Sequence, residues 1–298
     1  MNLSNYQKMK EGFKTYLKSK KHANRTIETY EANLRRFLEW LEQENMEVEQ
    51  VTYNDLLLYM KHTSRTVSQK GISGYIIAIK HFYSYLMRSG KVSKNPALDV
   101  AIKGIKRKVL YHILEPHELH QLYNSFQVDT ASEKRKQVML GLMIYQGLKT
   151  EELKKLQVSD VKLREGKVEV PGGKRSNGRT MQLESHQVMD MYDYVLQVRP
   201  ELLTRIAQPT DNLLVIWKDN GYISNLVTEI MKKLREVNQR ELNPNQIRAS
   251  VITKWIKMYN LREVQYLAGH RYISSTEWYI ENDLEGLQEE INQFHPLG

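Results

Sequence analysis

The chain has 298 residues, 41% hydrophobic and 27% charged, with no cysteine and a net charge of +9. This composition argues against disorder and excludes disulfides, thiolate metal sites, iron–sulfur clusters and a cysteine nucleophile. The length supports two domains, no apolar run approaches the roughly 18 residues of a spanning helix, and the opening MNLSNYQKMKEGFKTY lacks a signal-peptide core, so the expectation is a cytosolic protein without membrane contact.

Helical periodicity dominates the first third. Tyr6, Met9, Phe13, Tyr16 and Leu17 form one apolar stripe, and Ile27, Tyr30, Leu34, Phe37, Leu38 and Leu41 a second. Thr52 is placed to cap a short third helix through Leu58, and Tyr75, Ile76, Ile79, Phe82, Tyr83 and Leu86 mark a fourth, closed by Ser89-Gly90. The stretch AIKGIKRKVL after Asn95-Pro96 is basic and poorly periodic and reads as a linker. These patterns predict a helical domain over 1–100, a linker over 101–113 with the boundary near residue 108, and a second domain over 114–298.

The second domain starts with a helix from about Glu115, bearing Leu119, Leu122, Tyr123 and Phe126, and continues into VMLGLMIYQGL, too short for a membrane and read as a buried helix. KVEV and RTMQL flank PGGKRSNG, where Asn177-Gly178 predicts a hairpin turn. SNLVTEIMKKL, RASVITKWIKM and LREVQYLAG return to helical spacing. The predicted fold class is mainly α with a small β-hairpin or sheet.

Charge is divided unevenly. Residues 1–110 carry 20 Lys and Arg against 10 Asp and Glu, net +10, whereas residues 111–298 carry 24 against 25, net −1. A basic block interleaved with aromatics suits a polyanion such as nucleic acid. Gly172-Gly173-Lys174 lacks the flanking residues of a phosphate-binding P-loop, and His112, His117 and His120 lack the H-E-x-x-H zinc spacing. What remains is a scattered set of cations followed by a tyrosine: Lys149 in GLKTEEL, Lys174 in GGKRSNGR, Arg248 in NPNQIR, and His270 and Tyr279 in LAGHRYISSTEWY. A nucleophile and several cations are what phosphodiester cleavage through a covalent intermediate requires.

In the order and spacing of those segments the chain resembles the tyrosine recombinases, or phage-integrase family. GLKTEELKKLQVSDV is similar to the family's G-L-R-x-x-E-L helix start, NPNQIR to its H-x-L-R box and LAGHRYISSTEWY to its L-G-H…T…Y segment; Lys174 is similar to its β-hairpin lysine. TIETYEANLRRFLEWL and ISGYIIAIKHFYSYLMRSGKVSKNPA resemble its core-binding domain. The resemblance implies a SAM-like N-terminal core-binding domain, an α+β catalytic domain, and a clamp around DNA. It implies that Tyr279 attacks the scissile phosphate to give a 3′-phosphotyrosyl bond, that Lys149, Arg248 and His270 bind its nonbridging oxygens, and that Lys174 protonates the leaving oxygen. Asn245 stands where the family has histidine and Lys149 where it has arginine. Lysine lacks the guanidinium fork and asparagine cannot shuttle a proton near neutral pH. An attenuated or partner-dependent enzyme is therefore expected.

The expected partner is double-stranded DNA with a specific site, on the nucleoid, with no metal or cofactor. Lys70, Lys80, Lys103, Lys106, Arg107, Lys108, Arg175 and Arg179 are the expected DNA contacts. The chain is expected to be monomeric when free and tetrameric in the synapse. Leu284, Leu287, Ile291 and Phe294 form a tail stripe that suits docking on the same domain or a neighbouring subunit. Two other readings stay open: a noncatalytic DNA-binding regulator, favoured by Lys149 and Asn245, and a relaxing topoisomerase, disfavoured by the small helical N-terminal domain.

Overall fold

The computed structural model describes residues 3–102, 112–216, 222–239 and 241–280. The chain divides into two compact units, Met1–Lys108 and Val109–Gly298. Lys103, Lys106, Arg107 and Lys108 of the expected linker, and the tail stripe from Leu284 to Phe294, lie outside the described residues.

The first unit holds α1 (Leu3–Ser19), α2 (Asn24–Gln43), α3 (Tyr53–Thr63) and α4 (Gln69–Arg88). Their apolar stripes meet in a core that includes Phe13, Leu17, Phe37, Leu41, Leu56, Ile79, Phe82 and Tyr83. Thr52 caps α3 reciprocally: its backbone N–H donates to Asp55 Oδ2 (2.8 Å), while its hydroxyl accepts from the Asp55 N–H. The helix runs past the expected end at Leu58 to Thr63, because Tyr59 and Thr63 continue the buried stripe begun by Leu56. Gly90, at φ +71°, closes α4.

The second unit is built around α6 (Ala131–Ile144). Every residue from Val138 to Ile144 is buried, so this helix has no solvent face. It is surrounded by α5 (Pro116–Asn124), α8 (Ser185–Asp193), α10 (Ile223–Asn238) and α11 (Pro244–Met258). A four-residue helix α7 (Thr150–Leu153) follows α6, and α9 (Arg199–Leu203) follows α8 through a π turn over Tyr194–Val198. Pro200, which has no N–H to donate, falls in the first turn of α9. α12 (Leu261–Leu267) and a last helix, α13 over 274–280, complete the helical part.

The sheet has three antiparallel strands in the order β1 (Val161–Lys162), β2 (Lys167–Val170) and β3 (Arg179–Gln182), with Val161 opposite Val168 and Val170 opposite Arg179. Three details differ from expectation. β1 is only two residues long, too short to leave a period-2 pattern. The apolar run VMLGLMIYQGL does not stay helical: α6 stops at Ile144, and Gly147 at φ +58° turns the chain away. The hairpin does not turn at Asn177-Gly178, neither of which has positive φ. Gly173 and Ser176 pair instead, with the Gly173 N–H donating to Ser176 O (2.8 Å), so Lys174 and Arg175 form the tip and Asn177-Gly178 lies on the returning arm.

Among the described residues no helix is long and apolar enough to cross a membrane. Because α6 is enclosed on all sides, Leu142→Ala is expected to cost about 2–5 kcal/mol, read as a lower urea midpoint with an unchanged slope.

Candidate active site

Local sequence rules place each polar group in turn. Lys149 is the N-cap residue of α7, and its backbone N–H donates to Glu152 Oε2 (2.9 Å), the reciprocal contact that an acid three residues after the cap provides. Glu152 is thereby tied to the residue before its own helix. Arg248 lies one turn into α11, whose start is fixed by Asn243 accepting from the Gln246 N–H (2.9 Å). At the other side, α12 ends in a Schellman turn: the Gly269 N–H donates to Tyr266 O (2.9 Å) and the His270 N–H to Gln265 O (2.9 Å). Gly269 is at φ +62°, and a Cβ there would stand 2.4 Å from Arg179 Nη1, so both the turn and the close approach demand glycine.

These elements converge. Arg248, only 6% exposed, donates from Nη1 to Gly147 O and from Nη2 to Ala268 O (2.6 Å), and its Nη2 lies 3.4 Å from His270 Nε2. A guanidinium can only donate, so Nε2 is the acceptor and the neutral ring carries its proton on Nδ1, directed at Thr276 Oγ1 (2.9 Å). Tyr279, on α13, stacks on His270 with ring centroids 5.9 Å apart and 12° between planes, and its phenol interacts electrostatically with the Arg248 guanidinium. The phenol therefore lies beside a buried guanidinium and a neutral imidazole of its own chain.

Glu152 is the counter-charge. Arg179 reaches it through a bidentate pair, Nη1–Oε1 2.8 Å and Nη2–Oε2 3.2 Å, with the two side chains 0% and 4% exposed, and Arg248 Nη1 lies 3.9 Å from Oε2. This corrects the expectation that Arg179 faces DNA: its guanidinium is buried and committed to a carboxylate. Lys174 and Arg175 are exposed at the hairpin tip. The tip is laced to the His270 turn by a Ser176–His270 bridge, by the Asn177 N–H donating to Gly269 O (3.1 Å), and by Arg271 Nη1 donating to Lys174 O (3.2 Å). Asn245 is exposed on the first turn of α11. Lys70 is exposed and Lys80 half-buried, both on α4 of the first unit.

The electrostatics follow from crowding. Burial, then Arg248 and Arg179, push the half-buried Lys149 down to about 8, with Glu152 opposing. Burial, then Arg248, Lys149 and Arg179, push His270 down to about 3. Burial raises the Glu152 carboxyl, but the hydrogen bonds and charge of Arg179, with Lys149 N–H and Arg248, outweigh it and hold Glu152 ionised. Sequence reasoning missed Glu152, Gly269 and Thr276 as parts of the site, although capping-box spacing and a glycine after a helical stripe were visible signals for the first two. Among the described residues no group of three or more His, Asp or Glu is arranged to hold a metal ion.

The family model described as "Phage integrase family" matches residues 112–285, and "Phage integrase, N-terminal SAM-like domain" matches residues 11–90. Tyrosine recombinase XerC of Anoxybacillus flavithermus is 26% identical over 282 residues, 93% of each chain. Tyrosine recombinase XerD of Listeria innocua is 26% identical over 277 residues, 91% of this chain and 92% of its own. Among solved structures, XerH site-specific recombinase bound to palindromic difH substrate aligns with a TM-score of 0.72 at 19% identity, covering 89% of this chain and 78% of that one. A lambda integrase dimer bound to a COC′ core site aligns with a TM-score of 0.68 at 12% identity, covering 93% and 77%. These alignments establish the fold.

His270 gives the site a measurable acid signature. Unfolded, the ring protonates near its ordinary 6.5; folded, it stays neutral to about pH 3. The unfolded state therefore binds more protons between those values, and stability present above pH 6.5 drains away as pH falls. Thermal melting between pH 7 and 5 is expected to show a steeper loss for the wild type than for His270→Gln.

Proposed function

This chain belongs to the phage integrase family, the tyrosine recombinases, and on that premise we propose that it cuts and rejoins double-stranded DNA at a specific site through a 3′-phosphotyrosyl intermediate. The observation that carries the reading is the stacking of Tyr279 on His270, itself 3.4 Å from the buried Arg248, in a cluster where Lys149, Arg179 and Arg248 face a single carboxylate, Glu152. That cluster holds more positive charge than it balances, and an incoming phosphodiester supplies the missing negative charge.

In this mechanism the Tyr279 oxygen attacks phosphorus, the P–O5′ bond breaks, and the proton released from the phenol leaves to solvent. A phenol has an ordinary pKa near ~10, so attack at neutral pH depends on the cations beside it. Arg248 and Lys149 bind the nonbridging oxygens as charge grows on them, and neutral His270, oriented by Thr276, packs flat against the attacking ring of Tyr279. Lys174 protonates the departing 5′ oxygen. The ester bond to tyrosine conserves the energy of the backbone, so a 5′-hydroxyl rejoins the strand by the reverse path without nucleotide hydrolysis. Asn245 hydrogen-bonds without exchanging a proton.

Lys70, Lys80, Lys103, Lys106, Arg107, Lys108 and Arg175 contact DNA phosphates and make binding strongly salt-dependent. The chain works in the cytoplasm on the nucleoid, monomeric when free and tetrameric on paired sites. A noncatalytic regulator gains no support from the site, since DNA binding alone does not call for a tyrosine stacked on His270 beside a buried arginine.

The test is a duplex selected from a randomised pool by binding to the full chain, then nicked at successive positions so that the cleaved fragment diffuses away. Wild type is expected to form a covalent protein–DNA adduct on one of these, and Tyr279→Phe none. No adduct on any of them overturns the reading, and relaxation of arbitrary supercoiled plasmid points to a topoisomerase.

Lys149 sets the alkaline limit. Its pKa of about 8 in the free protein means that the cation is lost as pH rises, so the second-order rate of adduct formation, which reports the free protein, is expected to fall through about pH 8. Lys149→Arg is expected to remove that limb and to raise the rate at pH 7 by roughly tenfold, the value of one charge-assisted hydrogen bond made in the transition state.

A further inference from the structure

The hairpin that carries Lys174 has exposed polar residues at its tip, and its placement depends on what holds its arms. The main-chain contacts at Ser176 and Asn177 fix the returning arm to the His270 turn. On that same arm Arg179 opens β3 and sends its side chain inward, where it is fully buried. Its fork closes on both oxygens of Glu152, 27 residues away in sequence. Glu152 in turn accepts the Lys149 N–H and lies against Arg248. Gly269, the residue before His270, touches the Arg179 guanidinium closely enough to forbid any side chain.

We propose that Arg179 is a positioning residue for the leaving-group step: by clasping Glu152 it locks the Lys174 hairpin to the start of α7 and to the His270 turn, so that the general acid arrives in register with the phosphate ligands. The proposal rests on the recombinase reading above. A bidentate guanidinium–carboxylate pair fixes both distance and plane, which a single ammonium contact does not. With the clasp removed, Glu152 still pairs with Arg248 and caps Lys149, so phosphate binding survives. The hairpin then keeps its exposed contacts, the Ser176 and Asn177 bonds to the His270 turn and the Arg271 and Lys155 bonds to its backbone, but loses its one buried fork to α7, and Lys174 loses its alignment.

The chemistry of the leaving group makes this testable. In the ordinary substrate the P–O5′ bond breaks and the oxygen must take a proton from Lys174. In a substrate with sulfur in place of the bridging 5′ oxygen, the P–S bond breaks and the thiolate leaves without a proton. The nicked duplex identified above is prepared in both forms, and adduct formation is timed for wild type, Arg179→Met and Arg179→Lys, with DNA affinity and thermal melting measured on each.

The expected result with the oxygen substrate is a roughly ten- to hundredfold slower rate for Arg179→Met, the scale of a small misplacement of a reacting group. Its DNA affinity should be unchanged and its rate with the sulfur substrate close to wild type. Arg179→Lys, which keeps one contact to Glu152 but not the fork, should fall between and show the same rescue. Equal slowing on both substrates in the folded Lys variant, or wild-type rates on the oxygen substrate in either variant, overturns the proposal. Wild type that forms no adduct on either substrate removes the recombinase reading itself, and this proposal with it.

Discussion

Glu152 stands between Arg179 and Arg248, with its oxygens 2.8, 3.2 and 3.9 Å from their nitrogens and its Oε2 also accepting the Lys149 N–H. These cations could not be gathered in a buried space without it. Burial first, and then their mutual repulsion, push Lys149 and His270 toward the uncharged form. Breaking a buried ion pair by removing one partner typically costs about 3–5 kcal/mol, so the carboxylate is a structural necessity as well as an organiser. It does not neutralise the cluster, and in the proposed function a phosphodiester meets the surplus charge.

In the proposed function affinity and chemistry are divided between the two units. The first third of the sequence carries nearly all the excess charge, while the remainder is close to neutral and gathers three of its cations, Lys149, Arg179 and Arg248, around Glu152. In the proposed function the first unit supplies sequence-independent attraction along the backbone, and the second concentrates a few fixed charges on one phosphate. Such a division lets salt dependence be set by exposed lysines, whereas the rate is set by groups whose geometry is held from within the fold.

Lysine at 149 fits the local structure at a cost. As the N-cap of α7 it contributes a backbone N–H to Glu152, a contact that any residue with an N–H supplies. Its side chain is a cation at a helix N-terminus, where the helix dipole opposes positive charge, and it is crowded by two arginines. In the proposed function the result is a phosphate ligand with a single charge whose pKa is about 8. An arginine in the same place keeps its charge and offers a fork. The departure at Asn245 is milder in its surroundings, since that residue is exposed on the first turn of α11.

The sequence by itself determined most of the helices and the two longer strands, though not the two-residue β1 or the ends of α3 and α6. Stripes of apolar residues marked the helices, Thr52 announced α3, and Ser89-Gly90 announced the end of α4, because periodicity and capping act over three to five residues and need no distant partner. The order and spacing of GLKTEEL, NPNQIR and LAGHRYISSTEWY also named the candidate tyrosine and its cations. What only the tertiary structure decided was which charges face water and which face each other. Arg179 sits in a run of polar and basic residues that reads as an exposed hairpin, yet it is buried, because Glu152 from one distant segment and Gly269 from another close over it. The turn at Gly173–Ser176 in place of Asn177-Gly178 has the same origin: the returning arm bonds to the His270 turn, and a contact between segments far apart in the chain outweighs a local preference for the turn.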